Sequence, residues 1–563
     1  MSRDDKRRLD AYRQAEAGPI ENTLIDEWLD GELDRATFIR RGSMLGLGAT
    51  FIGTALGALG EAPLAFGANK AVKAGGRIRV GIIPPPTKTL DPHTYADQGG
   101  LETGGIAGEF LTRATQSLTL LPELAVSWKP NADASVWTFK LRQGVKFQTG
   151  KTMTADDVVA TYNRLLGADS GALSAFKGVL SAGGVTKVDE NTVQFKLDTP
   201  TASFPYLTSS TTYQAIILPA DYALGSFEKK PQATGAFKLT SYTPGVGAKY
   251  DRNASWWAGS TSLDGVDVTY YTDDAAVTAA LLGGQIDLIG QIQFATGRPL
   301  FSNSSVQIFS TRGATTRLIP MRVDLHNPLK DYRVRQAIAL CLDRPAIVKT
   351  LFNGRADIGN DSNFAPVYPS TDKSVPQRKK DIRTAKQLMA AAGYAKGFSI
   401  TLTTEQTGEI PQLAQILQRS VKAIGINMKL QILTATAYFA GTQNGSPSGW
   451  GNTPWLNAPI NITDWGHRSV PNVILSSAFV SKGVWNASHY SNKKFDALVK
   501  SFFGAIALKD QRKYEKQMQT ILLHDTPAIV PYFYNYLAAG STKVKGYKAD
   551  ALGQVYLSKT SLA

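Results

Sequence analysis

Residues 137–166 constrain the fold more than any other stretch of this 563-residue chain. Trp137, Phe139 and Leu141 alternate with Thr138, Lys140 and Arg142, the period-two pattern of a half-buried strand. Gln143-Gly144 turns the chain into a second short run, Val145-Lys146-Phe147, and Gln148-Thr149-Gly150-Lys151 turns it again. Thr154 then stands three residues before Asp157, ahead of Val158, Val159 and Tyr162, which predicts a capped helix. Gly150-Lys151-Thr152 has the ending of a phosphate-binding loop, but the motif requires a glycine where Val145 stands, so ATP binding is rejected.

The rest of the chain mixes strand and helix patterns. Short strands are expected at 77–83, 192–197, 266–271, 307–310, 399–403 and 428–432. Helices are expected at 275–282, 334–342, 383–392, 413–424, 492–503 and 508–524. Such alternation predicts α/β layers, and the length predicts more than one domain. No repeat at a solenoid period is present.

The N-terminus points to export. Residues 1–39 are highly charged; Arg40-Arg41 then precede an uncharged run to Gly60 that carries six glycines. Paired arginines before a weakly apolar stretch resemble a twin-arginine export signal, with Ala65-Phe66-Gly67 as a cleavage site. Ile39 before the pair and Gly42-Ser43-Met44-Leu45 after it depart from that pattern. An uncleaved anchor of about 19 residues, near the lower limit for spanning a bilayer, is the alternative. Upstream, Leu24, Ile25, Trp28, Leu29 and Leu33 are spaced to line one side of a helix.

Cysteine and charge narrow the chemistry. The single Cys341 excludes an intramolecular disulfide and lies far from any lipoprotein position. Inside a predicted helix it reads as a small buried apolar residue. Residues 1–67 hold 8 Lys/Arg and 11 Asp/Glu, so the remainder carries +18. Those cations are dispersed, which argues for a solvated basic surface and against nucleic acid. The five histidines are not at metal-ligand spacing, no G-x-S-x-G elbow occurs, and no catalytic residue, metal or cofactor is expected.

Several segments together resemble a known family. Besides 137–166, residues 121–128 (LPELAVSW) resemble "P-x-LA-x-SW". Residues 234–238 (TGAFK) resemble "TGPYK", and 253–257 (NASWW) the "RNP-x-YW" that follows. Residues 331–338 (DYRVRQAI), with Asp343-Arg344, resemble "D-x-RVRQA…DR". The chain resembles the extracytoplasmic solute-binding proteins of ABC importers, family 5, the peptide/nickel-type receptors. That resemblance implies a two-lobe periplasmic-binding-protein type II fold, with an extra subdomain and a discontinuous first lobe. On it, 76–104, 229–322 and 532–563 form the first lobe, 105–228 the extra subdomain, 323–531 the second lobe, and 1–75 the signal and leader. It implies a monomeric periplasmic receptor that passes its solute, an oligopeptide or dipeptide, to ABC permease subunits in the inner membrane. An oligosaccharide or other organic solute, or a non-transport envelope or chaperone role, is the alternative.

Candidate ligand contacts concentrate late in the chain. Four of the nine tryptophans, Trp450, Trp455, Trp465 and Trp485, lie among Gly, Asn, Ser and Pro, which reads as loop. Trp450, Trp455, Trp465 and the upstream Tyr438 are expected to contact ligand; Trp485 and Tyr490 resemble an architectural segment. In peptide-binding relatives an aspartate in a "DY-x-DP" segment meets the ligand's α-amino group. Asp464-Trp465 resembles its start, although Val470 stands where the second aspartate would be. Arg468 is the expected competitor for Asp464.

Overall fold

The computed structural model describes residues 17–47 and 75–563 except 87, 88, 96, 231 and 442–450, with isolated positions at 7, 9, 10, 12, 13, 52, 53, 55 and 56. The strand Arg77–Ile82 runs parallel to Gly265–Tyr270 on one side and to Leu288–Ile289 on the other. The hairpin Phe237–Thr243 with Gly247–Arg252 widens this sheet past Gly265–Tyr270. Ile78, Val80 and Ile82, which share one face of the strand, are fully buried, while Arg77 and Arg79 on the other face reach solvent.

Two strands carry the sheet out of this lobe. Val306–Pro320 pairs antiparallel with Tyr532–Ser541, then its far end pairs with Ile460–Trp465 and Ala528–Ile529. Between Thr311 and Thr315 the register shifts, which bends the strand where it passes from one lobe to the other. The second lobe continues with Phe398–Glu405 and Ile426–Leu433, parallel to each other and linked through the helix Ile410–Val421. Its core, including Ile338, Leu402, Leu413 and Ile462, is a separate hydrophobic cluster. The first lobe is therefore built from chain segments on both sides of the second, and the sheet is continuous across twelve strands.

The stretch 137–166 sits in an extra subdomain. Val136–Leu141 lies between Ala125–Pro130 and Thr192–Lys196 in a four-stranded antiparallel sheet completed by Val185–Asp189. Trp137 and Phe139 are fully buried, and the Phe139, Phe195 and Phe204 ring centroids lie 5.1–6.4 Å apart. The helix Ala155–Leu165 opens with a reciprocal capping box in which Thr154 N donates to Asp157 Oδ2 at 2.8 Å. Lys151 is held by Asp157 and Asp221 at 2.8 and 3.1 Å. The run 145–147 forms one bridge, Lys146 to Thr152, instead of a strand. These layers make the type II two-lobe α/β fold with an added subdomain.

Two expectations are corrected. The strand expected at 307–310 extends over the fifteen residues Val306–Pro320. The Trp-rich stretch read as loop contains the central strand Ile460–Trp465, five of whose six residues are buried. Ile460 and Ile462 alternate with Asn461 and Thr463, a period-two run too short to stand out among the flanking Gly, Asn, Ser and Pro. Cys341 is buried as expected; burial pushes its thiol up to about 12, and Sγ lies 3.2 Å from Ala337 O. Among the described residues, no helix is long and apolar enough to cross a membrane.

Candidate ligand-binding cleft

In open α/β sheets the carboxyl ends of parallel strands form the natural crevice. Here the loop after Phe398–Glu405 of the second lobe meets the segment after Leu288–Ile289 of the first. A Cβ built on Gly408 would sit 3.3 Å from Gln293 Oε1 and 3.4 Å from Arg317 Nη2. Gly408 also has φ +52°, so a side chain there would be both strained and crowded. This close approach marks the floor between the lobes.

Arg317 organises that floor. It stands directly opposite Asp464 in the antiparallel pairing, so the two side chains share one face of the sheet. Its Nη1 donates to Asp464 Oδ1, and its Nε and Nη2 reach Glu409 Oε1 and Oε2 at 2.9 and 3.0 Å. Tyr532 Oη donates to Glu409 Oε1 at 2.7 Å, and the guanidinium carbon lies 4.8 Å from the Tyr534 ring centroid. Burial works against the Arg317 charge, but Glu409 and the two tyrosines outweigh it and hold its pKa above the ordinary value. The side chains of Arg317 and Glu409 are 3% and 10% exposed, whereas that of Asp464 is 43% exposed. Arg317, Glu409 and Asp464 together sum to a single negative charge, Asp464 being the accessible member, and the buried carboxyl of Glu405 also lies close enough to Arg317 to feel its charge.

Asp464 thus pairs with Arg317, and the expected competitor Arg468 turns its Nη1 to His467 O at 2.8 Å. Arg317 was missed because its partner lies 147 positions away. The available signal was an arginine directly before the apolar Leu318-Ile319-Pro320, a rare place for an unpaired charge.

The remaining candidates divide. Trp450 lies outside the described residues. Tyr438 and Trp455 share a small cluster with Leu456 and Ala487 beyond the carboxyl end of Ile426–Leu433. Tyr438 is fully buried, its hydroxyl 3.0 Å from both Asn461 Oδ1 and Ile462 O. Trp465 is 6% exposed and packs edge-on against Trp485 with centroids 5.8 Å apart. The indole nitrogens of Trp455 and Trp465 are buried and have no hydrogen-bond partner among the described residues. These rings are packed into the second lobe instead of standing free in a loop, and Trp465, next to Asp464 on the strand, faces the opposite side of the sheet. That outcome fits the general burial of large aromatics.

His467 fixes the bent strand behind the site. Ala314 N donates to its Nδ1 at 2.9 Å, which places the ring proton on Nε2. Burial, with Arg468 nearby, lowers its pKa to about 3, so the ring stays neutral.

The first lobe contributes a buried acid. On the helix Gln98–Ala107, Glu102 Oε1 accepts from Gln98 Nε2 at 2.9 Å, and the same amide reaches Tyr536 Oη at 3.0 Å. Glu102 Oε2 is buried beside Gly290 and has no hydrogen-bond partner among the described residues. Burial raises this carboxyl to about 8, against the lowering effect of Gln98 and Tyr536. Among the described residues, no three His, Cys, Asp or Glu side chains gather into a metal-binding group.

Comparison with known proteins agrees with this architecture. Residues 119–472 match the family described as "Bacterial extracellular solute-binding proteins, family 5 Middle". The oligopeptide-binding protein AppA of Bacillus subtilis is 28% identical over 86% of this chain and 90% of its own length. The heme-binding protein A of Haemophilus influenzae is 27% identical over 78% of this chain and 83% of its own. The periplasmic binding protein DppA of Helicobacter pylori, solved with the peptide STSA, superposes with a TM-score of 0.72 at 21% identity, covering 87% of this chain and 98% of its own. A two-lobe sheet, an inserted subdomain and a polar interlobe floor therefore coincide with a match over most of the chain: it belongs to the bacterial extracellular solute-binding proteins of family 5.

Proposed function

We propose that this protein is a non-enzymatic receptor of an ABC importer that closes its two lobes around a short peptide and hands it to a membrane permease. The observation that carries the peptide reading is the net negative charge of the Arg317–Glu409–Asp464 group, with Asp464 as its accessible member. That charge matches one ammonium, and a carboxylate facing an ammonium in a desolvated cleft forms a charge-assisted hydrogen bond. The match to an oligopeptide-binding relative supports the same reading. Trp455 and Tyr438 support the pocket wall from within the second lobe, Trp465 backs the Asp464 strand from the opposite side of the sheet, and Trp450 belongs to the same stretch.

Closure is a population shift driven by contacts that exist only when the lobes meet. The bulge between Thr311 and Thr315 is the proposed hinge. Lobe boundaries at 76–104, 229–322 and 532–563, at 105–228 and at 323–531 accommodate it. The protein acts as a monomer in the periplasm, exported on the Arg40-Arg41 leader and either released or retained by an uncleaved signal.

A second reading, a non-peptide organic solute, is favoured by the partial neutralisation of Asp464 by Arg317 and by the match to a heme-binding relative. Thermal shift with di- to pentapeptides, their N-acetylated forms, oligosaccharides and heme separates the two. The peptide reading requires stabilisation by free-amino peptides and not by the acetylated ones. Stabilisation by heme or sugars alone would replace it.

A further inference from the structure

The leader does not lie apart from the body. Its helices Pro19–Leu29 and Arg35–Met44 form a hairpin seated on the extra subdomain and the second lobe at once. Leu24, Leu33 and Phe38 bury themselves in one cluster with Leu508 of the body, and the Trp28 ring meets Phe38 edge-on at 4.7 Å. Arg41 is 3% exposed: it pairs with Glu27 at 3.3 Å, its Nη1 donates to Gln511 Oε1 at 3.2 Å, and its Nη2 donates to Ile506 O. Arg40 Nη1 donates to Val367 O at 2.9 Å.

Groups of the body reach into the leader for their hydrogen bonds. Trp128 Nε1 donates to Met44 O at 3.1 Å, and Leu120 N to Ser43 Oγ at 3.0 Å; both sites are buried. The helix Leu508–Asp525 has Ala507 at its N-cap, which offers no side-chain acceptor. Glu27 supplies one, accepting from Leu508 N, and its charge suits the positive end of the helix dipole. A guanidinium is buried at tolerable cost only where most of its donors are matched: the body supplies Val367 O, Gln511 Oε1 and Ile506 O, the leader's own Glu27 supplies the counter-charge to Arg41, and Arg40 Nε has no hydrogen-bond partner among the described residues. An incidental contact would leave these buried donors unpaired.

We infer that the groove between the extra subdomain and the second lobe is a docking site for an arginine-bearing helical hairpin, occupied in cis by residues 19–45, so that the folded protein hides its own Arg40-Arg41 pair. Where that pair serves as an export signal, as the proposed export on the Arg40-Arg41 leader requires, a receptor gains access to it only from the undocked state. Docking then sets the fraction of folded chains that are competent for recognition.

Amide hydrogen exchange on the full-length chain tests the docking without any variant. Residues 19–45 are expected to exchange at least about a hundredfold more slowly than unstructured amides, as a cooperatively held segment does. Exchange at unstructured rates overturns the proposal. The Leu508→Ser/Gln511→Ala double variant leaves the leader intact and removes its apolar and polar seats. It is expected to abolish the protection and to expose Arg40-Arg41 to trypsin, while the circular dichroism of the body is retained. Trp128→Phe, which deletes one donor on the opposite wall, is expected to weaken protection in part. Unchanged protection in both variants overturns the assignment of this groove. Export of Arg40→Lys/Arg41→Lys at the parental rate would remove the export reading alone and leave the docking standing.

Discussion

Asp464→Asn separates ligand recognition from folding at one position. Asp464 is half exposed, and Arg317 keeps its buried partner Glu409 whether or not Asp464 is charged. The asparagine oxygen still accepts from Nη1, so stability should change by no more than about 1 kcal/mol, as for exposed ion pairs. Binding responds differently. A hydrogen bond to a charged group contributes about 1.5–3 kcal/mol, so Kd should rise about ten- to 150-fold for a peptide with a free amino terminus. N-acetylation removes the same ammonium from the other side, and the parent should lose a similar factor. Isothermal titration of both proteins with both peptide forms closes the cycle. The asparagine variant should bind the two forms equally. If acetylation and substitution each weaken binding and their effects add, the amino group does not meet Asp464 and the reasoning fails.

Three further outcomes follow from the same packing. Arg317→Met leaves Glu409 buried with Tyr532 alone and should lose about 3–5 kcal/mol in urea titration; adding Glu409→Gln should recover at least half, and a double variant as unstable as the sum would show no coupling. Glu102 has its pKa raised by burial from 4.5 to about 8, so the folded state holds a proton that the unfolded state releases, and the parent loses stability as pH rises through this window. Glu102→Gln does not titrate there, so its unfolding free energy from urea titration should gain on the parent's between pH 5.5 and 7.5 by up to about 2.7 kcal/mol; a constant difference would contradict the burial argument. Trp137→Ala empties a fully buried site in the extra subdomain and should cost about 3–5 kcal/mol while leaving ligand affinity unchanged in the folded protein, an affinity loss being the contrary result.

Local rules made the scaffold legible. The capping box at Thr154 and Asp157 forms, and the alternation over Trp137, Phe139 and Leu141 buries those three rings and chains. The first strand ends at Ile82, one residue short of the expected end. Sequence separation hid the rest. Ile460–Trp465 reads as loop until Thr316–Leu318, far upstream, is laid beside it. Asp464 was a visible candidate, but its charge balance depends on Arg317 and Glu409, which only the fold brings together. The tryptophans read as loop residues because Gly, Asn, Ser and Pro surround them. Tertiary packing buried Trp455 and Trp465 instead. The leader showed its apolar stripe at Leu24, Ile25 and Leu33, and nothing in that stripe indicated what it would pack against.

Native mass spectrometry of the freshly purified full-length protein tests the receptor account most directly. A co-purified small species is expected that remains bound to the parent, fragments as a peptide with a free amino terminus, and is lost from Asp464→Asn. An adduct retained equally by Asp464→Asn, or a bare protein that no peptide can reload, would contradict it.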